Sequence, residues 1–231
     1  MLMSVPLLDA RGDGLDMMRY ALFVVSLVSS VIYLGRTGGA WYPLMPWLKA
    51  LPVGALALLT AVSLPGGSLI GLLLVAALAF STLGDIFLAL RDEKKWFVFG
   101  LGAFLIAHLA YIAIFAYVLS HFGLRLDMAR LIGVAVVIGA AGMLHGQLKG
   151  GFGEMAGPVA LYMTVIVVMV VGALLLPPPS MLVVIGALLF MGSDAMIAVA
   201  KFGKPFGGVH HLIWGTYYAA QYLLMAGILQ G

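Results

Sequence analysis

The sequence predicts an all-α membrane protein, a polytopic bundle of eight transmembrane helices. Three observations carry this reading. Charged residues are 9% of the 231-residue chain and hydrophobic ones 64%, with a mean hydropathy of +1.15, whereas soluble domains carry about 25% charged residues. Apolar runs recur at close to the length a helix needs to cross a bilayer, about 20 residues. Those runs are continuously apolar rather than alternating, which excludes a β-barrel. No loop between them is long enough for a soluble domain, and the 30 glycines suit close helix packing in lipid.

The chain divides into a short exposed N-terminal tail, residues 1–16, and a single eight-helix domain, residues 17–231. The tail holds Asp9, Arg11, Asp13 and Asp16 and lacks the basic start of a signal peptide. The first span covers 17–34, with Arg19 near its end able to snorkel towards water. The second covers 47–64 and carries Lys49 near its start; Pro65-Gly66-Gly67 then reads as a turn. The third, 68–90, carries Asp85 and ends at the most charged loop, Arg91-Asp92-Glu93-Lys94-Lys95. The fourth, 96–120, carries His108 and Tyr111. The fifth covers 131–148, and a glycine-rich loop leads to the sixth, 155–176, which Pro177-Pro178-Pro179 ends. The seventh, 180–200, carries Asp194. A basic turn leads to the eighth, 209–230.

An even number of spans puts both termini on one side. Loops on that side hold Arg11, Arg19, Arg125 and Arg130, and the opposite loops hold Arg36, Lys49, Arg91, Lys94, Lys95, Lys149, Lys201 and Lys204. By the positive-inside rule both termini lie outside the cytoplasm. The net charge of +3 is spread over loops, so it speaks to orientation and not to nucleic-acid binding. The absence of cysteine excludes disulfides, thiolate metal sites and cysteine nucleophiles.

Asp85 and Asp194 stand out, because an ionisable residue inside a span is costly and is by default a functional-site candidate. Each follows small residues, in Leu83-Gly84-Asp85 and Gly192-Ser193-Asp194, and each lies six or seven residues before a loop on the same side. Single buried carboxyls often do no more than pack against a neighbouring helix. Two at similar depth favour a site in which both face one cavity. Nearby carboxyls in a low-dielectric pocket do not both ionise easily, which makes an acid and a base from one residue type. The spacings between Pro52 and Pro158 and between the two Asp are similar, consistent with an old duplication of four-span halves.

Other polar groups in apolar helices are candidate pocket residues: Ser81, one turn before Asp85; Ser193; His108 and Tyr111, which share a helix face; Tyr162; and Tyr217, Tyr218 and Gln221. For each, an interhelical hydrogen bond is the plainer role. Neither Ser lies in Gly-x-Ser-x-Gly. Lys49 is an anchor or headgroup-binding cation, pairing with an Asp or a phosphate if it turns inward. His108, His145, His210 and Asp85 are the residue types of a zinc hydrolase, but His-x-x-x-His is absent. No metal and no cofactor is called for.

Four stretches occur in order: Leu83-Gly84-Asp85; Phe104-Leu105-Ile106-Ala107-His108-Leu109-Ala110-Tyr111; Phe190-Met191-Gly192-Ser193-Asp194; and Thr216-Tyr217-Tyr218-Ala219-Ala220-Gln221-Tyr222. Together they resemble the YhhN/TMEM86 family of eight-span membrane proteins, from about the second span to the C-terminus. Lys49 followed by Pro52 resembles that family's Lys-Pro element, with two residues intervening. The resemblance implies a lysoplasmalogenase of a bacterial cytoplasmic membrane. It would cleave the vinyl ether of a lysophospholipid to a fatty aldehyde and a glycerophospho-ethanolamine or -choline. On that reading Asp85 and Asp194 are catalytic, the other candidates line the pocket, and Lys49 holds phosphate. A proton-coupled transporter and a metal-dependent membrane lipid amidase are the alternatives.

Overall fold

The computed structural model describes residues 12–64, 68–178 and 180–230, apart from the side chains of Glu93 and Lys94. Residues 1–11 of the tail, the turn at 65–67 and Pro179 lie outside the described residues. Among the described residues there are eight α-helices and no strand: α1 Asp16–Leu34, α2 Met45–Ser63, α3 Leu69–Ala89, α4 Glu93–Phe122, α5 Met128–Leu148, α6 Ala156–Leu175, α7 Met181–Phe202 and α8 Val209–Gln230. Two single 3₁₀ turns, Lys149–Gly151 and Gly153–Met155, lead into α6. All eight helices are long and apolar enough to cross a membrane.

Three helices start where a side-chain oxygen accepts an otherwise unpaired backbone N–H. Ser68 accepts from Gly71, Asp92 from Lys95 and Asp127 from Arg130. The second of these explains why α4 begins at Glu93, inside the charged run that reads as a loop in the sequence. With Asp92 as cap, the run supplies the helix's first turn.

The chain forms two compact units, Met1–Tyr111 with Met225–Gly231, and Ile112–Leu224. The boundary falls inside α4 and inside α8, so the units are not the two four-span halves that a duplication would give. In the first unit α1 packs on α2 and α2 on α3. Val53, Leu56, Leu59, Leu74 and Leu78 are fully buried there. Small residues set the spacing. A Cβ at Gly84 would stand 2.6 Å from the Phe104 ring, so only glycine lets α3 and α4 approach at that level. Pro52, inside α2, has no N–H to give to the Leu48 carbonyl. Its own carbonyl accepts a 2.8 Å hydrogen bond from Ser26 on α1.

Arg19 does not snorkel. It is 2% exposed and donates to Asp16 and Asp13 at 2.8 Å and to the Val62 carbonyl at 3.1 Å. Two carboxylates and an unpaired carbonyl in the last turn of α2 compensate its charge, so it has no need to reach water. The 12–16 segment is therefore clamped to the bundle. The Arg19 guanidinium, with the Leu15 backbone N–H, holds the Asp13 carboxyl down at about 2, against an ordinary 3.8. A carboxyl lowered in the folded state stabilises above its unfolded value and loses that contribution as pH falls through its folded value. The melting temperature of Asp13→Asn should accordingly lie below that of the parent at pH 7, and the difference should close between about pH 4 and pH 2. A gap that stayed constant down to pH 2 would rule out the clamp.

In the second unit, α5, α6 and α7 pack together. Arg130 at the start of α5 pairs with Asp127 at 3.0 Å and donates to the Leu174 and Leu176 carbonyls at the end of α6. Leu148, Phe152 and Val159 form a core with Phe202 packed against it.

Candidate active site

Asp85 lies on α3 next to Gly84, where α4 comes close, and is 1% exposed. Across from it Lys49, on the second turn of α2, turns inward: its Nζ is 3.6 Å from Asp85 Oδ1 and its side chain is 15% exposed. That separation is a charge pair and is longer than a hydrogen bond. Lys49 thus takes the inward orientation and pairs with an Asp. Ser81, one turn before Asp85, is fully buried, and its hydroxyl has no hydrogen-bond partner among the described residues. On α4, His108 and Tyr111 are both fully buried. His108 Nδ1–H donates to the Phe104 carbonyl at 2.6 Å. A carbonyl only accepts, so in the neutral ring the Nε2 lone pair is the acceptor.

In the second unit the Tyr162 hydroxyl on α6 donates to Asp194 Oδ2 on α7. Ser193, fully buried, donates to the Ile213 carbonyl of α8 at 3.0 Å, so its hydroxyl pins α7 to α8. Tyr217 meets Phe190 edge to face, with centroids 5.5 Å apart, and lies 5.7 Å from Trp214. Trp214 in turn stacks on Tyr218 at 6.3 Å. Tyr217 and Gln221 are both buried. Phe190 and Trp214 were not among the sequence candidates. Trp214 stands three and four residues before Tyr217 and Tyr218, the spacing of one helix face, and that signal was readable.

The two Asp do not lie equally far from their helix ends. Asp85 is four residues before Ala89 and Asp194 eight before Phe202, about 6 and 12 Å at 1.5 Å per residue. The expected six or seven residues before a loop become four and eight because α3 stops early and α7 runs on. Leu90 turns extended, and the Trp41 indole donates to the Ala89 carbonyl at 3.0 Å. The last turn of α7 continues through Lys201 to Phe202.

Among the described residues no three His, Asp or Glu side chains are grouped to hold a metal ion, so His108, His145, His210 and Asp85 do not assemble as a zinc set. What the arrangement offers is carboxyl chemistry. One Asp is charge-paired to an ammonium and the other bonded to a phenol, each inside a mostly apolar helix.

The model of the YhhN family matches residues 44–228. A protein named lysoplasmalogenase from Mycobacterium bovis is 34% identical over 68% of this chain and 60% of its own. The chain thus spans 60% of the length of that mycobacterial relative. Human lysoplasmalogenase TMEM86B is 31% identical over 83% of this chain and 77% of its own. Lysoplasmalogenase TMEM86A of Bos taurus is 28% identical over 96% and 92%. No solved structure matches the chain. The family match takes in α2 through α8 with both Asp-bearing helices, and the chain belongs to the YhhN family.

Proposed function

We propose that this protein hydrolyses the vinyl ether of a lysoplasmalogen by acid–base catalysis with Asp85 and Asp194. The observation that carries the reading is Asp85, 1% exposed in an apolar span with an ammonium 3.6 Å away. The relatives' name supports the substrate class.

The chemistry needs little beyond two carboxyl groups. A proton is delivered to the β-carbon of the vinyl ether, and the C=C electrons form the new C–H bond. The oxygen lone pair stabilises the resulting cation as an oxocarbenium ion. Water adds to that carbon and gives up a proton, and the hemiacetal collapses to a fatty aldehyde and the glycerol hydroxyl. One group must hold a proton to give, and the other must be a carboxylate that steadies the cation and activates water, as in two-carboxylate glycosidases. Different partners divide one residue type between these roles. Asp85, facing the Lys49 ammonium, is the carboxylate. Asp194, whose Oδ2 accepts from the neutral Tyr162 phenol, is the proton donor through its other oxygen. His108, Tyr111, Ser81, Tyr217, Tyr218 and Gln221 contribute to substrate binding. The protein works in the cytoplasmic membrane with both termini outside, and the lysolipid enters laterally from the cytoplasmic leaflet.

The test is direct. Purified protein in neutral micelles should release fatty aldehyde from an alkenyl lysophospholipid and none from its alkyl ether analogue, since an alkyl ether has no double bond to protonate. Equal turnover of the two, or no aldehyde at all, would overturn the proposal.

A further inference from the structure

With Lys49 committed to Asp85, the substrate's phosphate needs another partner, and a set of cations stands at the same end of the first unit. Residues 35–44 join α1 to α2, and residues 90–92 join α3 to α4. The Trp41 indole bond to the Ala89 carbonyl ties the two connections together. The Arg36 guanidinium lies over the Tyr42 ring at 5.7 Å, and Arg91 over Trp41 at 5.7 Å. The Lys95 ammonium is 4.9 Å from the centre of the Trp96 ring, which is itself stacked on Phe87.

Aromatic faces orient cations without neutralising them. Arg36, Arg91 and Lys95 are exposed, and none has an ion-pair partner among the described residues. The neighbouring Asp92 accepts the Lys95 backbone N–H to cap α4. The Tyr42 hydroxyl is buried and has no hydrogen-bond partner among the described residues. Burial chiefly, with Tyr33 adding and Arg36 opposing, pushes the Tyr42 phenol up, so it remains an O–H donor.

We propose that this rim of Arg36, Arg91 and Lys95 on Trp41, Tyr42 and Trp96 is the subsite for the phosphodiester of the lysophospholipid headgroup. This rests on the hydrolase reading for its substrate. The geometry fits. Asp85 lies about 6 Å, or one helical turn, inside the end of α3 that carries the rim, and a glycerol backbone separates an sn-3 phosphate from an sn-1 ether by a comparable length. Indole rings also favour the depth at which a headgroup sits. Three cations and a phenol recognise the phosphate. The rim therefore separates phospholipids from uncharged alkenylglycerols.

The full chain in uncharged detergent is titrated, by indole fluorescence, with 1-O-hexadecyl-lysophosphatidylethanolamine and with 1-O-hexadecylglycerol, neither of which has a vinyl ether to cleave. Arg36→Gln with Arg91→Gln should weaken the first by about tenfold or more, since each lost contact is a charge-assisted one. The second should be unchanged, and Arg36→Lys with Arg91→Lys should restore most of the loss. Three results would overturn the proposal: unchanged binding of the phospholipid, equal weakening of both ligands, or displacement by millimolar inorganic phosphate, which would mark a site for the free ion. Kinetics separates this proposal from the hydrolase reading. Aldehyde release with an unchanged KM in the Gln variant removes the rim and leaves the hydrolase. Headgroup-dependent binding without aldehyde release from any alkenyl lysophospholipid leaves the rim and removes the hydrolase.

Discussion

Asp85→Asn and Asp194→Asn should each lower aldehyde release from an alkenyl lysophospholipid by about 10²–10⁴-fold, the range that positioned acid–base groups contribute. Asn keeps the shape of Asp and removes both the charge and the transferable proton. The Asn amide at 194 can still accept from Tyr162 through its carbonyl oxygen, so the contact between α6 and α7 survives. For Asp194→Asn, loss of activity with an unchanged melting temperature would then locate the defect in the chemistry. The double variant should be little worse than the more damaged single one, because groups that serve one step are not additive. Wild-type turnover should also be slower in heavy water, since the proposed mechanism passes a proton to carbon in the slow step, and this effect should persist in Asp85→Asn. Full activity in either single variant would end the two-carboxyl mechanism, although not the membership of the family.

Much of this organisation could be read without coordinates. The spans announce themselves because a bilayer demands about 20 apolar residues in a row. The predicted eighth span, 209–230, coincides with α8, and the other spans are close to theirs. Errors arise where a side chain's partner decides its role, whether that partner is a few residues away or on another helix. Arg19 reads as a snorkelling residue until Asp13, Asp16 and the Val62 carbonyl are seen around it. The run from Arg91 to Lys95 reads as loop until Asp92 is recognised as a cap. Lys49 is ambiguous in the sequence, because nothing local says which face of α2 meets α3. Likewise the partnership of Tyr162 with Asp194 joins two helices whose relative rotation no spacing encodes. The type of each polar residue was legible, and its partner was not.

The pair of Lys49 and Asp85 yields the second large effect, on stability. Lys49→Met leaves a carboxylate that is 1% exposed with its charge partner gone. Removing one member of a buried pair costs about 3–5 kcal/mol. A figure of about 3 kcal/mol is expected here, because Lys49 is itself 15% exposed and its loss opens a path for water. Asp85→Asn should cost less. It strands an ammonium on a flexible stem near the helix end, and such a group can snorkel outward; a carboxylate on a short stem inside α3 cannot. Combining Lys49→Met with Asp85→Asn removes both charges and should recover most of the Lys49→Met loss, leaving the double variant within about 1 kcal/mol of Asp85→Asn. Equilibrium unfolding in mixed micelles measures all four corners of this cycle. Strict additivity would show that the two side chains do not interact, and Asp85 would lose the feature that sets it apart from Asp194. Recovery of stability in a protein that still releases no aldehyde would show the opposite: an apolar replacement suffices for the fold, and the buried charges are kept for chemistry.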